Sequence, residues 1–104
     1  MGWPIETYLQ QDHPLQVEVN RRVAELIGLP AEELVAERDD CGAPTLILQL
    51  AQMALLYAHL GASQHAELEQ ISRAMLSHPD LVAGEARFDT ELMRRSHGQV
   101  LSKG

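Results

Sequence analysis

The chain is short of several things at once, and each shortage excludes something. It has one cysteine, Cys41, so no internal disulfide can form. A single thiol suits a reducing cytoplasm. Aromatic residues make up only 4% of its 104 residues, namely Trp3, Tyr8, Tyr57 and Phe88. The core is therefore expected to rest on Leu, Ile, Val, Ala and Met. Basic residues are few: 8 Lys and Arg stand against 15 Asp and Glu, for a formal net charge of -7. A basic footprint is what nucleic acid and anionic membrane surfaces require, so both are excluded as partners. The acids are spread along the chain, which reads as a solvated surface rather than an acidic tail. Long hydrophobic runs are missing too. The densest, Leu46 to Leu60, is broken by Gln49, Gln52 and His59 and is too short and polar to span a bilayer. No basic segment followed by an apolar core marks a signal peptide at the N-terminus.

What is present reads as helix and turn almost throughout. No segment alternates apolar and polar residues for long enough to predict a strand. The expectation is an all-α fold, a small bundle of four to five helices forming a single domain over residues 1–104. Pro4 to Gln10 is a short helical opening. Asp12 is the expected N-cap of a helix beginning at His13-Pro14. Leu15, Val19, Val23, Leu26 and Ile27 follow at helical spacing, with Glu18, Arg21, Arg22 and Glu25 on the wet side and Gly28 as the stop. Pro30 opens a second, short helix to about Val35, with Glu32 and Glu33 in its first turn. Residues 37–42 form a polar connection.

The stretch from about Pro44 to Leu60 is apolar nearly all round, which predicts a central, buried helix ended by Gly61. Ser63 is expected to cap the next helix, with Leu68, Ile71, Met75 and Leu76 inward and His78-Pro79 as its end. Asp89 is the expected cap of the last helix, about Thr90 to Ser96, with Phe88 and Met93 at the spacing of a hydrophobic staple. Met53, Met75 and Met93 are read as core filler. Gln99 to Ser102 can begin a strand.

Few residues suggest chemistry on their own. Cys41 follows Asp39 and Asp40 and precedes Gly42-Ala43-Pro44. At the mouth of a helix its thiolate would gain from the helix dipole and would suit a soft metal such as zinc. A zinc site needs several ligands, however. There is no second cysteine, and His13, His59, His65, His78 and His97 show no paired metal spacing. The plain alternative is a small, half-buried packing residue. Asp39 and Asp40 read either as an acid–base pair or as a solvated turn and helix-entry cap. The two His-Pro pairs read as helix punctuation. Lys103, near the end of the sequence, carries no signal by itself.

Five segments carry more when taken together. They are His13-Pro14-Leu15-Gln16, Asp39-Asp40-Cys41-Gly42-Ala43-Pro44-Thr45, His78 to Gly84 followed by Arg87-Phe88-Asp89-Thr90-Glu91-Leu92-Met93, and Val100 to Gly104. In this order and at these spacings they resemble the bacterial L-asparaginase II family. The resemblance implies the helical part of a serine β-lactamase/glutaminase-like fold. It also implies hydrolysis of L-asparagine to L-aspartate and ammonia by serine–lysine pairs, in which a lysine activates a serine.

By the resemblance, Lys103 falls on a catalytic lysine, Cys41 on a metal-binding cysteine, and Asp39 on a supporting acid beside that metal. The family's Ser-x-x-Lys is not in the sequence, and Asp40 stands where the family tends to have glycine. The expectation is therefore a truncated piece, about a third of a family member, with no activity and no cofactor alone. Zinc at Cys41 is expected in a complete enzyme only. A stand-alone helical dimerisation or binding module, and one half of a split asparaginase completed by a missing N-terminal half, are the alternative readings. Apolar faces around 46–60 and 15–27 predict a symmetric homodimer.

Overall fold

The structure, a computed structural model, describes residues 2–62 and 64–104. Among the described residues it is mostly helical, with five α-helices and one two-stranded sheet. That agrees with the small helical bundle expected from the sequence. The chain divides into two compact units, Met1–Leu56 and Tyr57–Gly104.

In the first unit, a 3-10 turn at Ile5–Thr7 leads to helix α1, Pro14–Ile27. The cap of α1 is His13 rather than Asp12. Its Nδ1 accepts the Leu15 N–H at 3.1 Å, and its Nε2–H donates to the Pro4 carbonyl at 2.8 Å. One imidazole thus satisfies an orphan helix-start donor and ties the preceding turn down. It is buried, 5% exposed, with Trp3 edge-on at 6.4 Å. Gly28 ends α1 at φ +72, and the Leu29 N–H returns to the Ala24 carbonyl at 3.0 Å. That six-to-one bond is a Schellman closure, which needs the left-handed residue glycine supplies. The wet face of α1 carries Arg21 paired with Glu18 and Glu25, as its amphipathic pattern predicts.

Two expectations fail in the next stretch. The helix expected from Pro30 is only a 3-10 turn, Ala31–Glu33, which packs against α1. Beyond it lie two strands, β1 (Val35–Arg38) and β2 (Pro44–Ile47), paired antiparallel with Val35 opposite Ile47 and Arg38 opposite Pro44. Strands of four residues are too short to display a period, and Leu46-Ile47-Leu48 runs straight into the following helix, so the sequence reads as one apolar segment. Helix α2 is Leu50–Ala62, starting six residues later than expected. Gln52 Oε1 accepts the Gln49 N–H at 2.7 Å, half of a capping box. None of the described residues of α2 is buried: Leu50 is 82% exposed, and Met53, Leu55 and Tyr57 are all in the 40–45% range. The expected central, buried helix is thus an apolar helix left largely open.

The second unit holds α3 (Ala66–Ser77), α4 (Pro79–Ala83) and α5 (Phe88–Arg95). Helix α4 packs on both α3 and α5. His78 ends α3 and begins α4, so the second His-Pro pair is punctuation as read. The expected cap Ser63 lies outside the described residues, and His65 occupies the N-cap position of α3. Arg87, not Asp89, is the N-cap of α5. Phe88 is 77% exposed and staples nothing, whereas Met93 is 2% exposed. Of the three methionines read as core, only Met93 is fully buried. Ile71, expected inward, is 49% exposed, and the buried residue of α3 is Ser72. Residues 99–104 form no strand.

The centre of this unit is polar. Thr90 is wholly buried, and its Oγ1 donates to the Gly84 carbonyl at 2.6 Å and lies 3.2 Å from the Pro79 carbonyl. One hydroxyl thereby fastens the end and the start of α4 to α5.

Candidate functional site

Cys41 sits at the tip of the β1–β2 hairpin and is exposed. It is therefore neither at a helix mouth nor half-buried. The helix dipole expected to act on it falls off within the first turn, and α2 begins nine residues on. The turn is closed by the Gly42 N–H donating to the Asp39 carbonyl at 2.9 Å and by the Asp39 N–H donating to the Ala43 carbonyl at 3.0 Å. Gly42 takes φ +80, the left-handed step that a three-residue hairpin loop requires.

The Asp39 carboxylate organises this loop. Its Oδ1 accepts the N–H groups of Cys41 at 2.9 Å and Ala43 at 3.0 Å, and its Oδ2 accepts the Thr45 hydroxyl at 3.2 Å. The Ala43 N–H, followed by those of Cys41 and the Thr45 hydroxyl, holds the Asp39 carboxyl below the usual carboxylate range. Of the two readings of Asp39 and Asp40, the hydrogen bonds of Asp39 support the organised turn. Asp39 meets Cys41 through the cysteine backbone N–H rather than its sulfur.

Lys103 belongs to the other compact unit and is the only lysine of the chain. Its side chain is exposed, but its backbone is held on both sides. The Tyr57 hydroxyl donates to the Lys103 carbonyl at 2.9 Å. Asp89 Oδ1 accepts the Ser102 hydroxyl, and Asp89 Oδ2 accepts the Gly104 N–H at 3.3 Å. The Ser102 hydroxyl, then the Gly104 N–H and the charges of Lys103 and Arg87, keep the Asp89 carboxyl below its ordinary range. Nearby, an open cavity of about 280 Å³ is lined by Tyr57, Ser72, Leu76 and residues 98–101. Sequence reading missed Tyr57 and gave Asp89 a capping role. No single-sequence signal marks Tyr57, because its partner lies 46 residues away.

Each distinctive string of the sequence now has a structural task. Asp39 and Gly42 shape a hairpin tip that presents Cys41. Asp89 anchors the Lys103 segment, Thr90 locks α4, and Met93 fills the core beneath. The family model for L-asparaginase II matches residues 1–104, the whole chain. The chain belongs to the L-asparaginase II family. No curated protein matches it.

The residues around Cys41 do not by themselves make the zinc site that the resemblance implies. Among the described residues, no group of three or more His, Cys, Asp and Glu side chains is placed to hold a metal ion. Cys41 offers one thiolate, and both Asp39 oxygens are engaged by the loop. Zinc takes three or four protein ligands, so this set does not fit it by itself. Among the described residues no helix is long and apolar enough to cross a membrane.

Proposed function

We propose that this chain is a part of an L-asparaginase II amidohydrolase, hydrolysing L-asparagine to L-aspartate and ammonia when complete and inactive alone. The observation that carries this reading is the family match over all 104 residues of a sequence that contains no Ser-x-x-Lys. Lys103 is the residue assigned to catalysis. In the complete enzyme it acts as a base toward a serine supplied from outside these residues. Cys41 is assigned to metal binding and Asp39 to holding it in place. Zinc at Cys41 requires further ligands from the complete enzyme. Without them the chain carries no cofactor.

The exposed apolar side chains of α2 favour a homodimer of the isolated chain, since open apolar surface drives association. A sharp monomer in sedimentation at high micromolar concentration overturns that assembly. The compartment assigned is the cytoplasm, where the single exposed thiol stays reduced.

The deciding experiment measures ammonia release from L-asparagine, with and without zinc, for the chain and for Lys103→Ala. The expected result is no release from either. Release that vanishes in Lys103→Ala would mean a self-sufficient active site and would overturn the inactive reading. Release that appears only on adding a polypeptide bearing Ser-x-x-Lys identifies a split enzyme.

A further inference from the structure

We propose that Asp89 and Tyr57 are positioning residues that clamp the backbone on either side of Lys103, so that its amine is presented from a fixed point. The inference rests on the assignment of Lys103 to catalysis made above.

The geometry has three arms. Tyr57, on α2, grips the Lys103 carbonyl at 2.9 Å. Asp89, in the first turn of α5, takes the Ser102 hydroxyl with one oxygen and the Gly104 N–H with the other, at 3.3 Å. Three consecutive residues are thus held by two side chains of the same compact unit. The Lys103 side chain is exposed and is held by neither Asp89 nor Tyr57; its Nζ donates to the Gly104 carbonyl at 2.7 Å.

An acid in a first turn ordinarily serves its own helix. Here both oxygens of Asp89 are committed to a segment 13 and 15 residues downstream. Capping α5 does not account for that, because Arg87 holds the cap position. A free segment with Lys, Gly and no secondary structure frays. A lysine side chain already has several rotatable bonds, so a mobile backbone would add to the freedom lost on reaching a near-attack geometry. Fixing the backbone removes that part of the entropy before substrate arrives.

The test uses the single lysine as a reporter. Backbone 15N relaxation is measured at Leu101, Ser102 and Lys103 in the 104-residue chain, in Asp89→Asn and in Tyr57→Phe. Both substitutions keep size and shape, and both side chains are partly exposed, so the fold is retained. Its retention is checked at the buried Met93 methyl. The native chain is expected to show order parameters near the rigid-backbone value of about 0.85 at Lys103, with either variant falling below about 0.6. Unchanged order in both variants overturns the clamp.

In an enzyme completed with the Ser-x-x-Lys part, the same variants are expected to lower kcat about tenfold with KM unchanged. A merely structural role would move neither preferentially. Loss of order with no change in kcat overturns the catalytic purpose of the clamp. Full activity in Lys103→Ala overturns the assignment of Lys103 instead, and the relaxation data still decide whether the clamp exists.

Discussion

Replacing Thr90 by valine should destabilise the second unit although it conserves volume and makes the site more apolar. Thr90 is 0% exposed and Pro79 is buried, so neither the hydroxyl nor the Pro79 carbonyl can readily turn to water, while Gly84 is half-buried. The valine variant loses the hydrogen bond to the Gly84 carbonyl at 2.6 Å and the longer contact to the Pro79 carbonyl at 3.2 Å. Leaving a buried acceptor without a partner costs about 1–3 kcal/mol, and the neutral hydrogen bond itself is worth about 1 kcal/mol net. Transfer free energy alone would predict a neutral or favourable change. A loss of about 2 kcal/mol is therefore the expected outcome. With an m-value of about 2 kcal/mol/M, the urea midpoint should drop by about 1 M. The assay is urea unfolding followed at the Met93 methyl resonance, which reports on this unit alone. A Thr90→Val protein within about 0.5 kcal/mol of the native one, the ordinary scatter of surface substitutions, would refute the argument that a hydroxyl holds α4 in place.

Three further outcomes follow from geometry already described. Asp39→Ala should speed amide hydrogen exchange at Cys41 and Ala43 while leaving α1 protected. The native protection should persist at neutral pH. Because the folded carboxyl lies below its unfolded value, its stabilisation is full above about pH 4 and is lost as pH falls through the lowered value. His13→Ala should cost about 1–2 kcal/mol by removing the cap of α1 and the tie to Pro4, read by Trp3 fluorescence during unfolding. Gly42→Ala should cost about 1 kcal/mol, since the left-handed backbone at φ +80 penalises a Cβ even where, as here, nothing within 4 Å would touch it; the hairpin amides are the reporters.

The parts of the fold that were legible are those whose signals are local. Helix α1 announces itself through His-Pro at its start, a 3.6-residue apolar rhythm and Gly28 at its end. The bundle of short helices after residue 60 is punctuated just as clearly by His78-Pro79, Gly84 and Gly98. The hairpin was illegible because β2 merges into the apolar run of α2, and a continuous apolar run has no period to read. Its one available clue was Asp39 with Gly42, a turn pairing flanked by the β-branched Thr45 and Ile47. Burial of α2 was misjudged for a different reason. Hydrophobicity states what favours removal from water, not whether the neighbours needed to remove it are at hand. Cys41, Asp39 and Lys103 were singled out by resemblance. Asp89 and Tyr57 were beyond reach, because their meaning lies in contacts made far along the chain.

The loop that carries Cys41 separates form from reactivity. Its shape depends on the Asp39 carboxylate, on backbone groups and on the freedom of Gly42, and the only atom Cys41 lends to those bonds is its amide nitrogen. The thiol can therefore be replaced by a hydroxyl, alkylated or oxidised while the scaffold under it stays as it is. In such an arrangement, variation in soft-ligand chemistry at the tip is free of any folding penalty, and variation at Asp39 is not.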